Sequence, residues 1–121
     1  MANLNEIFQE MADQIEGLIA LSVVGMDGIT VVEHNPAGVN TDAFSAMFAM
    51  VMNMVEKSIN DLDEWGVFKD NLLLMQTSKG LILTRLLNNP YFLVIAVTQD
   101  GNIGNLRQVA KKYASQLRTA L

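Results

Sequence analysis

The sequence predicts one α+β domain in which a helix, two strands, a helix, three strands and a helix follow one another (αββαβββα). Three observations predict it. Residues 4–15, 41–62 and 102–121 repeat apolar side chains at helical spacing, with polar residues between them. Residues 18–24, 29–34, 71–77, 81–87 and 91–98 are short β-rich runs separated by glycine, asparagine, aspartate and proline. The 121 residues contain no internal repeat, low-complexity stretch or long linker, so residues 1–121 read as a single unit.

The first helix keeps Leu4, Ile7, Phe8, Met11 and Ile15 on one face, and Asn3 or Asn5 is placed to cap it. Gly17 ends it. Residues 18–24 are apolar on both faces, as a strand covered from both sides requires. Asp27-Gly28 signals a tight turn, and residues 29–34 finish in a polar, proline-terminated stretch that suits a blunted edge.

Thr41 is expected to cap the middle helix, with Asp42 favourably placed against its dipole. This segment, TDAFSAMFAMVMNMVEKSINDL, organises the rest of the chain. On a helical wheel Phe44, Phe48, Val51, Val55, Ile59 and Leu62 form one stripe, read here as the core face. Met47, Met50 and Met54 widen the apolar arc on one side, and Met52 widens it on the other. Ser45, Ala46, Ala49, Asn53, Glu56, Lys57 and Asn60 make the solvent-tolerant back. Such an arc exceeds what one sheet covers, so a second surface is expected against it.

Beyond a Trp65-Gly66 connection, the last three strands form a meander, turning at Ser78-Lys79-Gly80 and Asn88-Asn89-Pro90. The run 91–98 is apolar on both faces and central. Within the run 71–77, residues 72–75 are apolar and lack proline, so as an edge it would be a template for a second chain. In the final helix Ile103, Leu106, Ala110, Tyr113, Leu117 and Leu121 face inward, with Arg107, Lys111 and Arg118 along a flank.

Charge and composition narrow the function. Residues 1–70 hold twelve acids and two lysines, whereas residues 71–121 hold one acid, Asp100, and six bases. The net charge of −5 argues against nucleic-acid binding, which requires a basic footprint on phosphate. No cysteine, secretory signal or apolar run of membrane-spanning length is found, which predicts a cytoplasmic protein without membrane insertion. Half of the residues are hydrophobic, and self-association is the simplest outlet for that surplus.

Taken with the element order, the opening helix followed by GLIALSVVGMDG and the closing GNIGNLRQVAKKYASQL resemble the Roadblock family, whose members include dynein light chains and bacterial gliding-motility regulators. The resemblance spans essentially the whole chain. It implies a five-stranded antiparallel sheet in the order 2-1-5-4-3, with the middle helix on one face and the terminal helices on the other. It further implies a homodimer formed through the third strand and the middle helix, and a role in binding or regulating a small Ras-like GTPase. On this sequence the dimer seam would fall on Met47, Met50, Met54, Leu72 and Leu74, leaving Ala46, Asn53 and Lys57 for a partner.

Catalytic readings find little here. There is no cysteine, His34 is the only histidine, and no serine, histidine and acid are gathered by this topology. One histidine without companions makes no zinc site, so neither a metal nor a cofactor is expected. Gly101-Asn102-Ile103-Gly104 lacks the lysine and hydroxyl of a P-loop, and a strand-to-helix turn explains its glycines. Arg85, the only base in an apolar strand, is expected to have a structural partner and not to act as an arginine finger. The basic flank of the last helix could attract an acidic partner or a membrane surface, but the plainer expectation is that it answers Glu6, Glu10, Asp13 and Glu16 of the first. The function expected is a non-catalytic regulator or scaffold for a GTPase, the alternative being a structural adaptor in a motor or polarity complex.

Overall fold

A computed structural model describes residues 3–62, 72–88 and 90–121. In chain order the elements are α1 (Leu4–Gln14), β1 (Leu18–Gly25), β2 (Thr30–His34), α2 (Thr41–Asp61), β3 (Leu72–Thr77), β4 (Gly80–Leu86), β5 (Tyr91–Thr98) and α3 (Ile103–Ala120). The sheet is antiparallel throughout and runs β2-β1-β5-β4-β3, the order the resemblance implied. The Trp65-Gly66 connection, Asn71 as a strand residue, and Asn89 in the second turn lie outside the described residues.

Local chemistry accounts for most boundaries. Asn3 caps α1 by accepting from the Glu6 amide at 2.9 Å. At the β1–β2 turn, Asp27 Oδ1 accepts from the Ile29 amide at 3.0 Å, and Gly28 takes the left-handed φ of +88° that a side chain resists. One boundary departs from expectation. Asn40, and not Thr41, caps α2, its Oδ1 accepting from the Ala43 amide at 3.3 Å. The cap must have extended backbone and reach the amide three residues on, and Asn40 satisfies both while Thr41 is already helical.

β5 lies at the centre, and every residue from Phe92 to Val97 is buried. Alternate side chains serve two cores, as a strand covered on both faces requires. Leu93, Ile95 and Val97 pack with Leu21, Leu83, Ile7, Phe8, Met11, Leu106, Tyr113 and Leu117 beneath α1 and α3. Phe92 and Val94 pack with Val24, Leu86, Phe48, Ala49 and Met52 beneath α2. At about 1.5–3 kcal/mol for each fully buried large apolar side chain, the larger α1–α3 core carries most of the hydrophobic stabilisation.

In α3 the expected inward residues Leu106, Ala110, Tyr113 and Leu117 are buried, but Ile103 is 40 % exposed. It occupies the first helical position, beyond the reach of the core. The expected answer of α3 bases to α1 acids also fails. Among the described residues Glu6, Glu10, Asp13 and Glu16 form no ion pair with Arg107 or Lys111. The helices meet instead through Gln14, which donates to the Tyr113 hydroxyl and accepts from Lys112 Nζ at 3.4 Å. Arg118 points the opposite way, its guanidinium donating to the Leu86 carbonyl of β4 at 3.2 Å, and Arg107 and Lys111 share its flank by helical spacing.

Candidate functional site

The site is the outer surface of α2 and the strand edge beside it, and both follow from how α2 is rotated on the sheet. The expected core stripe is only partly inside. Phe48 is buried, Val51, Val55 and Ile59 are half-buried, while Phe44 and Leu62 are 36 % and 52 % exposed. The residues that face the sheet most directly are Ser45, Phe48, Ala49 and Met52. The sequence puts Ser45 and Ala49 on the solvent side by their modest hydrophobicity, and the structure turns both inward.

Size and hydrogen bonding decide this rotation. The β1–β2 hairpin comes so close to α2 that a Cβ on Gly28 would lie 3.3 Å from the Ala46 Cα, and only small residues fit along that seam. The Ser45 and Thr30 hydroxyls lie 2.6 Å apart, which satisfies a polar group that would otherwise be costly to bury. Asn53 donates to the Met26 carbonyl at 3.0 Å and to the Ala49 carbonyl at 2.8 Å. Met52 fills the core, with its sulfur 3.5 Å from the Thr84 hydroxyl. The spacing of small residues at Ser45, Ala46 and Ala49, together with Gly28 in the turn, was the readable signal for this contact.

With the small-residue face inward, Met47, Met50 and Met54 point away from the sheet and are 66 %, 68 % and 69 % exposed. They form an apolar ridge two turns long on a capped, regular helix. On the hairpin flank of the ridge, Ala46, Asn53 and Lys57 are exposed, the first two also taking part in the hairpin contact just described. On the opposite flank Phe44 stacks obliquely on Phe48, with ring centres 5.2 Å apart. Phe44 also borders an open apolar hollow of about 260 Å³ that reaches Thr77, Gly80 and Ile82 of the β3–β4 hairpin.

β3 completes the site. Among the described residues it pairs only with β4, so its outer N–H and C=O groups are free to accept another strand. Its register divides the run of leucines between two faces. Leu73 lies opposite Thr84 and Met75 opposite Ile82, on the α2 side, whereas Leu74 packs toward the α1–α3 core. The side chain of Leu72 lies outside the described residues. Alternation of period two should have singled out Leu73 and Met75 as the strand residues that share a face with the methionines.

Among the described residues no three histidine, aspartate or glutamate side chains gather into a metal site. Nor is any described helix long and apolar enough to cross a membrane. Of the glycines in this stretch only Gly101 lies in the turn before α3, where a Cβ would come 2.7 Å from a Val97 methyl, while Gly104 lies inside the helix; Asn102 caps α3, accepting from the Asn105 amide at 3.1 Å.

No protein-family model and no curated protein matches the chain by sequence. Solved structures do match over nearly the full length. A Roadblock/LC7 domain from Streptomyces avermitilis superposes with a TM-score of 0.75 at 9 % identity, covering 96 % of this chain and 98 % of that one. MglB of Myxococcus xanthus gives 0.82 at 11 %, covering 98 % and 96 %. MglC of Myxococcus xanthus gives 0.65 at 28 %, covering 93 % and 94 %. The chain has a Roadblock-like fold.

Proposed function

We propose that this protein is a non-catalytic platform that pairs with a second copy of itself and presents the paired surface to a small Ras-like GTPase. The observation that carries the reading is the methionine ridge. Three large thioether side chains, each about two-thirds exposed, sit on a helix beside a strand edge that is unpaired among the described residues. Flexible, polarizable methionine suits a surface that must accept more than one partner shape. Pairing through α2 and β3 would cover Met47, Met50 and Met54 and give β3, with Leu72 and Leu74, a neighbouring strand. Ala46, Asn53 and Lys57 then form the rim offered to the GTPase. Such a platform changes nucleotide turnover only if it binds the two states of the GTPase with different affinity. The setting proposed is the cytoplasm.

The test is to mix the purified protein with the Ras-like GTPases of its own organism, loaded with GDP or a non-hydrolysable GTP analogue. Binding that depends on the nucleotide, or a changed rate of hydrolysis or exchange, is expected. Binding without dependence on nucleotide or effect on turnover would favour the second reading, a structural adaptor in a motor or polarity complex. The Roadblock-like fold supports that reading equally, since the fold itself carries no catalytic group.

A further inference from the structure

We infer that a hollow beside the first turn of α2 is a binding site for a small neutral aromatic alcohol, its hydroxyl at the buried Ser22 side chain and its ring beside Phe44 and Ala96. The site does not depend on pairing with a second copy.

The hollow follows from side-chain sizes along the sheet. On the α2 face, three rows of residues cross β1, β5 and β4. Val24, Phe92 and Leu86 form the first, Ser22, Val94 and Thr84 the second, and Ala20, Ala96 and Ile82 the third. Phe48 and Met52 pack on the first row. The two alanines of the third leave the floor low, and Phe44 is the only large apolar residue in the first turn of α2. An apolar space of about 260 Å³ results, walled by Ile19, Val39, Phe44 and Ile82. It lies at the Thr77 end of β3, about 17 Å along the strand from Leu72, where the described part of β3 begins. Among the described residues its one charged neighbour is Lys79, exposed in the β3–β4 turn.

One row further in, about 7 Å along β1, the surroundings turn polar. Ser22 is 6 % exposed, and its side chain has no hydrogen-bond partner among the described residues. It borders a space of about 10 Å³ shared with Phe44, Ser45, Phe48 and Val94, and Ser45 is already joined to Thr30. Such a space admits one water or one polar atom of a ligand. A hydroxyl left without a partner at this depth weakens the fold, so Ser22 calls for such an atom. Among the described residues no charged side chain lines the space, so a neutral group fits it. An alcohol can both donate and accept, as the water it displaces would.

Phe44 is the wall common to both spaces and, at 36 % exposed, can turn outward to let one ligand span them. Its ring favours an aromatic body, since rings attract at centroid separations of about 4.5–7 Å. An apolar cavity of about 150 Å³ accepts benzene, so 260 Å³ suits a molecule of about ten non-hydrogen atoms. An aliphatic side chain from a second copy would fill the hollow but leave Ser22 unanswered.

The experiment titrates the full chain with 4-propylphenol and with 4-propyltoluene, which carries a methyl in place of the hydroxyl, and follows the methyl NMR signals of Ile19, Val39 and Ile82. Saturable shifts at those methyls are expected, with the phenol bound at least about fivefold more tightly than the toluene. Ser22→Ala removes a hydroxyl that has no partner and should fold. It should weaken the phenol about three- to tenfold, leave the toluene unchanged and so erase the difference between the two. Equal binding of both probes by the parent protein overturns the site, as does a Ser22→Ala protein that keeps the preference. No saturable shift up to about 5 mM of the phenol overturns it as well. Binding confined to the Met47→Glu, Met54→Glu protein would do the same, by showing that a second copy occupies the hollow.

Discussion

The side-chain amide of Asn53 bridges the Met26 carbonyl in the β1–β2 hairpin, at 3.0 Å, and the Ala49 carbonyl one turn back in its own helix, at 2.8 Å. Asn53 thereby adds to the small-residue seam in limiting how far α2 can roll on the sheet. Asn53→Ala should cost about 0.5–1.5 kcal/mol, the net contribution of such bonds. It should also loosen the orientation of the ridge. Urea unfolding measures the first, and faster amide exchange at the hairpin tip the second.

Gly28 tests how close that approach is. Gly28→Ala must hold a side chain at φ +88° and place its Cβ 3.3 Å from the Ala46 backbone. Gly38→Ala meets a similar φ of +69° with nothing within 4 Å. Backbone strain of about 1–2 kcal/mol is common to both, so Gly28→Ala should lower the melting temperature more. Equal shifts would mean that the hairpin gives way without cost.

The helix start separates two neighbouring residues. Asn40→Ala removes the cap on the Ala43 amide and should destabilise by about 1 kcal/mol. Thr41→Ala replaces a residue inside the first turn and should stay within about 0.5 kcal/mol of the parent protein. The reverse order in chemical denaturation would restore Thr41 as the cap.

Met47→Glu with Met54→Glu should leave folding within about 0.5 kcal/mol, because both side chains are two-thirds exposed. Self-association should be lost, as sedimentation or light scattering would show. Met52→Ala, at a site 1 % exposed, should do the opposite, costing about 2–5 kcal/mol without acting on the surface. A dimer that survives the glutamates would place the seam elsewhere.

Much of the fold was legible in the sequence because the chain states its periods clearly. Residues 91–98 show their strand by unbroken β-rich hydrophobicity between two turn signals, and the structure returns the same limits. The rotation of α2 was not legible from hydrophobicity alone. A wheel ranks Phe44 and Leu62 above Ser45 and Ala49, yet contact with the hairpin is decided by side-chain size and by one half-buried hydroxyl pair. The surplus of methionine was readable, but its direction depended on that contact. Charge misled in a related way. Acids on α1 and bases on α3 suggest mutual attraction, but the helices touch at Gln14 and Tyr113, and the basic flank turns toward β4.

The strand order also governs how the molecule comes into being. β1 pairs with β5, Leu18 with Val97, so the middle of the sheet waits until residue 97 has been made. Until then the N-terminal half has only the β1–β2 hairpin, and Phe48 and Met52 lack the Phe92 and Val94 they will pack on. Such long-range closure slows folding relative to a protein built from neighbouring contacts. During synthesis the apolar arc of α2 therefore stays partly uncovered until β5 emerges, the stage at which such a chain is most open to aggregation.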